Sequence, residues 1–174
     1  MALGDAYVSV MTTAGLNLIQ QALSIYDSDL RLVICNRPFQ EMFNLPVEHT
    51  MPGAEFAETI RLLAQRGEYG EITDIEDMVR LRVEQARAFI PHYMERTRPD
   101  GSTISVEGSP LPTGGWVTVY TDISRVKTQE SLLRARYAEL SDKVFAYAEE
   151  LAAKNRELAA TITAFGGATM AFVR

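Results

Sequence analysis

Cysteine and histidine are scarce in this chain, and their scarcity excludes whole classes of protein. Cys35 is the single cysteine, so no intramolecular disulfide can form, and we expect a reducing, cytoplasmic setting. The two histidines, His49 and His92, form no cluster with Cys35 at zinc-ligand spacing, which argues against a structural metal site. The net charge is −6 and no basic run occurs, which argues against a nucleic-acid partner.

Long apolar runs and catalytic motifs are also absent. A membrane helix needs about 18 consecutive apolar residues, and no stretch of the sequence approaches that length. Residues 1–11 carry Asp5 and lack a basic segment, so we expect no signal peptide. No nucleophile elbow and no phosphate-binding glycine loop occurs. The chain is therefore predicted not to be an enzyme.

The beginning of the chain predicts a short helix followed by a β-hairpin. Residues 14–22 place Leu16 and Ile19 at helical spacing behind a threonine that can cap the helix. Residues 23–35 then contain two apolar runs of strand length around Ser28-Asp29. Such a pair of runs around a short polar turn is typical of a hairpin.

The middle of the chain predicts helices and then more strands. Pro38 suits the start of a helix, and apolar residues recur at helical spacing over 55–66 and over 74–89, where Thr73 or Asp74 is a suitable cap. Three strands are expected afterwards, at residues 91–98, 103–107 and 116–121. Residues 108–115, rich in glycine and proline, are expected to form a loop. Two strands, a helical crossover and three strands predict an α+β domain: a five-stranded antiparallel sheet with helices on one face.

Residues 124–165 contain neither proline nor glycine and predict one long helix. Its apolar residues step by alternating threes and fours, as in the seam of a coiled coil. A strict heptad would bury Lys154 after Leu151, whereas a stutter places Asn155 there, which is the less costly choice. The predicted dimer seam is Leu133, Tyr137, Leu140, Val144, Tyr147, Leu151, Asn155, Leu158 and Ile162. A parallel homodimer is expected from this seam.

Several motifs, in this order and spacing, resemble a PAS domain over residues 15–127. They are the hairpin 22–36, the short helix 37–43, the turn Glu95-Arg-Thr-Arg-Pro-Asp-Gly101, and the junction Thr121-Asp-Ile-Ser124 before a charged helix. The chain is most similar to PAS domains of bacterial sensor histidine kinases and cyclic-dinucleotide enzymes. The resemblance divides the chain into a helical segment 1–22, a sensor domain 23–123, a coiled-coil linker helix 124–165 and a flexible tail 166–174.

The resemblance implies a sensory module that relays a signal along its linker helix to an output domain. It implies a ligand pocket between the sheet and the crossover helices, with candidate lining residues Phe39, Phe43, Phe56, Ile60, Leu63 and Trp116. It also implies a signal junction at Asp122, Ile123 and Ser124. No kinase or cyclase sequence follows the helix, so the output is expected on a longer form of the chain or on a partner.

Two other interpretations stay open at this point. The aromatic residues could simply fill the core, which would leave a structural dimerisation scaffold. The pocket could instead hold flavin or haem, making the chain a redox sensor, although the sequence favours no cofactor. Cys35 lies at the end of a strand rather than on a flavin-facing helix, and is expected to be an ordinary buried thiol. His49, in a loop before the helix 55–66, is the candidate for a haem ligand.

Overall fold

The computed structural model, which describes residues 2–88 and 90–171, divides the chain into two compact units, Met1–Arg125 and Val126–Arg174. The helices and strands follow one another along the chain in this order: α1 (Ala2–Leu18), β1 (Ala22–Tyr26), β2 (Leu32–Cys35), α2 (Arg37–Met42), α3 (Phe56–Gln65), α4 (Ile75–Arg87), β3 (His92–Thr97), β4 (Thr103–Pro110), β5 (Trp116–Asp122) and α5 (Ser124–Ala171). A short 3-10 helix, Val47–His49, lies between α2 and α3.

The strands form one five-stranded antiparallel sheet in the order β2-β1-β5-β4-β3. The last strand in the chain, β5, therefore lies in the centre and pairs with β1 on one side and β4 on the other. Tyr120 lies opposite Ala22 in one pairing and opposite Val106 in the other. The predicted α+β fold class, a five-stranded antiparallel sheet with helices between its second and third strands, is confirmed.

The hydrophobic core lies between this sheet and the helices α2 and α3. It is formed by side chains of alternating sheet positions and of the apolar helix faces: Ala22, Phe39, Phe43, Leu45, Leu63, Ile104, Val106 and Tyr120. Phe39 and Phe43 are successive residues of one helix face, and both rings contact the ring of Tyr120, with centroids 5.5 and 5.0 Å away. Aromatic contacts at such distances add to the free energy gained from burial.

Asn36 ties the beginning of the chain to the sheet. Its side-chain carbonyl oxygen, Oδ1, accepts hydrogen bonds from the backbone N–H of Leu23, at 2.8 Å, and of Phe39, at 3.2 Å. The second of these bonds caps α2. Its amide nitrogen donates to the carbonyl oxygens of Leu16 and Gln21. Because the side chain is buried and fully engaged, its bonds hold the end of α1, the start of β1 and the start of α2 together.

Several sequence-based boundaries were wrong. The first helix, α1, begins at Ala2 rather than at residue 14. It ends at Leu18, before the residue 22 that was predicted, because Ala22 already pairs with Tyr120 in the sheet. Strand β4 continues through part of the predicted loop to Pro110, because its pairing with β5 extends to Trp116. The last helix continues past residue 165 to Ala171, so residues 166–171 of the predicted tail are helical, while 172–174 lie outside the described residues.

We predict that Gly108→Ala destabilises the first unit, Met1–Arg125, by about 1 to 3 kcal/mol, because overpacking of a filled region costs that much. A Cβ atom at this position would overlap the rings of Trp116 and His92. The midpoint of thermal unfolding measures the effect. Gly15→Ala is the control, since a Cβ there meets no atom within 4 Å and the residue is helical. It should be neutral or stabilising by about 0.5 to 1 kcal/mol, and equal effects of the two substitutions would contradict the prediction.

Candidate functional site

A cavity of about 60 Å³ lies in the first unit, between the sheet and the helices α3 and α4. Its walls come from three strands, two helices and the segment between those helices: Phe56, Ile60, Tyr69, Arg82, Gln85, Ala86, His92, Met94, Arg96, Val106, Trp116, Thr118 and Tyr120. By volume the cavity holds about four water molecules, since each needs roughly 10 to 15 Å³. It is thus larger than a packing defect, and smaller than the roughly 300 to 1,000 Å³ of a pocket for a drug-sized ligand.

The periods of strand and helix explain why these residues converge. His92, Met94 and Arg96 alternate along β3 and share one face of the sheet. Trp116, Thr118 and Tyr120 alternate in the same way along β5. On α4, Arg82, Gln85 and Ala86 are three and four residues apart and share one helix face. Each element thus presents a single set of side chains to the same space.

Two stacked aromatic rings form part of the cavity wall. The rings of His92 and Trp116 are stacked, with centroids 5.4 Å apart and an interplanar angle of 15°. Gly108 of β4 lies beneath both rings, where no larger residue fits. The indole N–H of Trp116 donates to the Thr118 hydroxyl at 3.0 Å, and Trp116 is buried. These contacts fix the orientation of the indole ring.

Two arginines flank the ring of Tyr69. The guanidinium of Arg96 lies 4.5 Å from the ring centroid, and that of Arg82 lies 5.4 Å from it. Cations at these distances are attracted to an aromatic face. Burial raises the pKa of the Tyr69 phenol, so the hydroxyl stays protonated. The wall at this point is therefore cationic and contains a neutral hydroxyl group.

Glu68 compensates two buried arginines, Arg96 in β3 and Arg98 just after it. Its carboxylate lies 2.8 Å from Arg98 and 3.5 Å from Arg96, and the three side chains are only 8%, 13% and 13% exposed respectively. Arg98 also donates to the carbonyl oxygen of Met42 at 2.7 Å, at the end of α2. Charges so little exposed persist only when paired and hydrogen-bonded. This network fastens the edge strand β3 to the helical layer.

Three of the six predicted pocket residues line the cavity and three do not. Phe56, Ile60 and Trp116 are in its walls. Phe39, Phe43 and Leu63 instead belong to the hydrophobic core. The reason is that α2 packs its two phenylalanines directly on Tyr120, which fills the space beside them.

Sequence reasoning missed ten of the thirteen lining residues, among them the polar Tyr69, Arg82, Gln85, His92 and Arg96. Their spacing was a usable signal, because His92 and Arg96 share the face of one strand and Arg82 and Gln85 the face of one helix. Periodicity identifies a face but does not say which face of an amphipathic strand turns inward.

Asp122, Ile123 and Ser124 form a hydrogen-bonded junction with the start of β4. The Ser124 hydroxyl oxygen accepts from the backbone N–H of Thr103 at 2.8 Å, and the N–H of Ile123 donates to the Thr103 carbonyl oxygen at 2.8 Å. The N–H of Ser124 donates to the Asp122 carboxylate at 2.9 Å. Hydrogen bonds from the hydroxyl and the N–H of Ser124 lower the pKa of Asp122, so its carboxylate stays ionised and the contact is lost only when the pH falls through that lowered value.

All nine residues of the predicted dimer seam lie on α5 and are exposed. The exposed fractions of its eight apolar residues lie between 54% for Leu133 and 72% for Tyr137. Pairs of opposite charge four residues apart accompany the stripe, such as Lys143 with Glu139 and Lys154 with Glu150. These pairs add a few tenths of a kcal/mol each to the helix.

No group of three or more His, Cys, Asp or Glu side chains in the described part of the chain could hold a metal ion. No helix among residues 2–88 and 90–171 combines the length and the apolar character that crossing a membrane requires.

The comparison with known families decides the family of this fold. A sequence profile described as the PAS fold matches residues 16–131. The chain belongs to the PAS-fold family. The resemblance stated from the sequence is thus confirmed, and PAS domains are typically sensory modules without catalytic activity.

Individual relatives of this PAS domain are distant. The chain is 27% identical over 129 residues to the Non-motile and phage-resistance protein of Caulobacter vibrioides, a match that covers 72% of this chain and only 13% of that protein. The structure of the PAS domain of Bordetella pertussis BvgS is similar with a TM-score of 0.49 and 14% identity, over 74% of this chain and 96% of that one. The phage VqmA–DPO complex has the same TM-score and identity, over 77% of this chain and 61% of that one.

Flavin and haem do not fit this PAS cavity. Its volume of about 60 Å³ is far below what either group needs. Cys35 is not among the lining residues, its thiol lies 3.6 Å from the Thr50 carbonyl oxygen, and burial raises its pKa to about 11, so it is an unreactive thiol. His49 does not line the cavity either, and its Nδ1 lies 3.3 Å from the Thr59 hydroxyl.

We predict that Glu68→Gln destabilises the PAS domain by about 3 kcal/mol, since removing one partner leaves buried charge uncompensated. Urea unfolding followed by circular dichroism measures the change. Glu76→Gln is the control: Glu76 pairs with Arg61 while its side chain is 65% exposed, and loss of an exposed pair costs about 1 kcal/mol or less. A loss at Glu68 no larger than that at Glu76 would show that the network carries little stability.

Proposed function

We propose that this chain is a cytoplasmic sensory PAS module that forms a parallel homodimer through α5 and relays a signal along it to an output domain. The output domain is of the histidine kinase or cyclic-dinucleotide enzyme type, in the same protein or on a partner. The observation that carries the proposal is the exposed apolar stripe of α5 with its coiled-coil spacing.

A second copy of the chain is the partner that this stripe suits. A stripe at alternating steps of three and four follows a supercoiled path, and in a parallel pair each residue meets its own copy. In a lone helix, eight apolar side chains, each more than half exposed, would stay in contact with water, which is unfavourable in free energy. Asn155 within the stripe provides the polar contact that fixes the register of such dimers.

The route from cavity to helix runs through β5 and β4. Thr118 and Tyr120 line the cavity, and the same strand ends at Asp122 in the junction. Ile104 lies opposite Asp122, and the preceding residue, Thr103, bonds to Ser124 at the start of α5. A ligand that shifts β5 relative to β4 would therefore alter the bonds that hold the first turn of α5. A paired helix with two near-equal packings can carry such a shift onward.

The proposed cytoplasmic setting and the proposed output domain each have one supporting observation. A free thiol as the single cysteine suits a reducing compartment. The Caulobacter vibrioides relative is far longer than the region it shares with this chain, which suits a module that serves other domains.

Sedimentation velocity of paired charge variants tests the dimer. Val144 is in the predicted seam and Phe145 is next to it, outside the seam, and the two are 67% and 66% exposed. We expect Val144→Glu to raise the dimer dissociation constant about a hundredfold or more, because each copy would bury an unpaired carboxylate. Phe145→Glu should leave the dimer intact. A monomeric wild-type chain, or equal effects of the two variants, would refute the proposed interface.

Hydrogen exchange tests the junction. Ser124→Ala removes the acceptor of the Thr103 N–H, so local opening should become easier by about 1 kcal/mol, or roughly fivefold in exchange rate. If the junction couples the sheet to the helix, exchange also accelerates in α5 beyond its first turn. Ser131→Ala, an exposed site on the same helix, is the control. Acceleration confined to Thr103 would mean that Ser124 is only a local cap.

A further inference from the structure

A second space, an outer groove, lies next to the inner cavity. The groove has a volume of about 280 Å³, and its walls are Arg82, Gln85, Ala88, Ile90, His92 and Met94. Four of these residues, Arg82, Gln85, His92 and Met94, also line the inner cavity. The two spaces therefore meet at these four side chains, which form the mouth of the cavity.

The mouth is cationic and rich in hydrogen-bond donors. Among the described residues no Asp or Glu lines either space, although the chain as a whole has a net charge of −6. Arg96 is paired with Glu68, whereas Arg82 forms no ion pair within the described part of the chain. Arg82 donates to the side-chain amide oxygen of Gln85, Oε1, at 3.2 Å, which orients the guanidinium and leaves donors on both side chains available.

The rest of the cavity wall is more apolar. Phe56, Ile60, Ala86, Val106 and Trp116 supply apolar surface there, and Arg96, whose charge is paired with Glu68, lies beside them. A ligand that suits the whole site thus has a short apolar body and an anionic group that only accepts hydrogen bonds. A carboxylate matches a guanidinium in charge and geometry.

We propose that this site binds a short aliphatic monocarboxylic acid, with its carboxylate at Arg82 and Gln85 and its carbon chain beside Trp116. The inner volume of about 60 Å³ sets the length of the chain to a few carbon atoms. This assignment rests on the proposed sensory function, since it names the class of ligand that the cavity detects.

Trp116 provides a direct readout, because it is the only tryptophan in the chain and lines the cavity. The full chain is titrated with straight-chain acids from acetate to hexanoate, and with the primary amide of each acid, while indole fluorescence is followed. The amides have the shape of the acids but no charge. We expect saturable binding of at least one acid, about tenfold tighter than its amide. If no acid binds more tightly than its amide, the proposal is wrong.

Variants on α4 test whether the acid binds at the proposed site or is only attracted by positive charge on this helix. Arg82→Gln and Arg80→Gln both remove one arginine from the same helix, but Arg80 is exposed, pairs with Asp77 and lines neither space. Arg82→Gln should weaken binding of the acid about tenfold, Arg80→Gln should not, and Arg82→Lys should retain part of the preference for the acid. Equal affinities of the Arg82→Gln and Arg80→Gln variants would overturn the assignment of the carboxylate to Arg82.

These experiments distinguish a wrong ligand assignment from a wrong account of the dimer and its relay. Val144→Glu changes α5 only, so this variant should bind the acid as the wild-type chain does. If the acid binds but hydrogen exchange in α5 does not change, the ligand assignment stands and the relay is wrong. If the dimer and junction predictions hold but every acid binds like its amide, the relay stands and the ligand assignment is wrong.

Discussion

The pairing of β5 with both β1 and β4 is the constraint on which the other features depend. As the central strand, β5 cannot move without disturbing two sets of backbone hydrogen bonds, and each of these is costly to leave unmade. Its alternation places Trp116, Thr118 and Tyr120 in the cavity wall, and its last residue, Asp122, lies in the junction before α5. The cavity wall and the junction before α5 therefore both contain residues of the same strand.

The distribution of charge around Tyr69 is the second determinant of the site. Glu68 compensates Arg96, in the edge strand β3, and Arg98, just after it, which lets both side chains turn toward the protein. Arg82, across the ring of Tyr69, has no such partner among the described residues. Buried charges are costly unless paired, so the paired arginines stabilise the fold, while the unpaired one at the mouth remains available to a ligand.

The helix α5 differs from the PAS domain in the exposure of its apolar side chains. Its apolar side chains are spread along one stripe and are exposed, whereas those of the sheet and of α2 and α3 are buried. Charged pairs within the helix, such as Glu150 with Lys154, contribute little. Most of the stability of a long helix comes from packing its apolar face, which is why the proposed second copy matters for α5 and not for the core.

Local pattern was enough for the elements and for the fold class. The proline at the start of α2, the cap of α4 at Asp74, the two-residue period of the strands and the uninterrupted helix-forming residues after Ser124 are short-range properties that a single sequence displays. Even so, α1 and β4 were misplaced, since pairing partners far along the chain extend or end an element regardless of its local composition.

The sequence by itself determined the fold class, the family resemblance and the long helix with its stripe, because these depend on periodicity and on the order of motifs. The tertiary structure decided which residues meet in the cavity. Phe39 and Phe43 pack on Tyr120 and leave no space, while Arg82, Gln85 and His92 come together from α4 and β3. Such a meeting depends on which face of each element turns inward, and that choice is made by packing between distant segments rather than by local spacing.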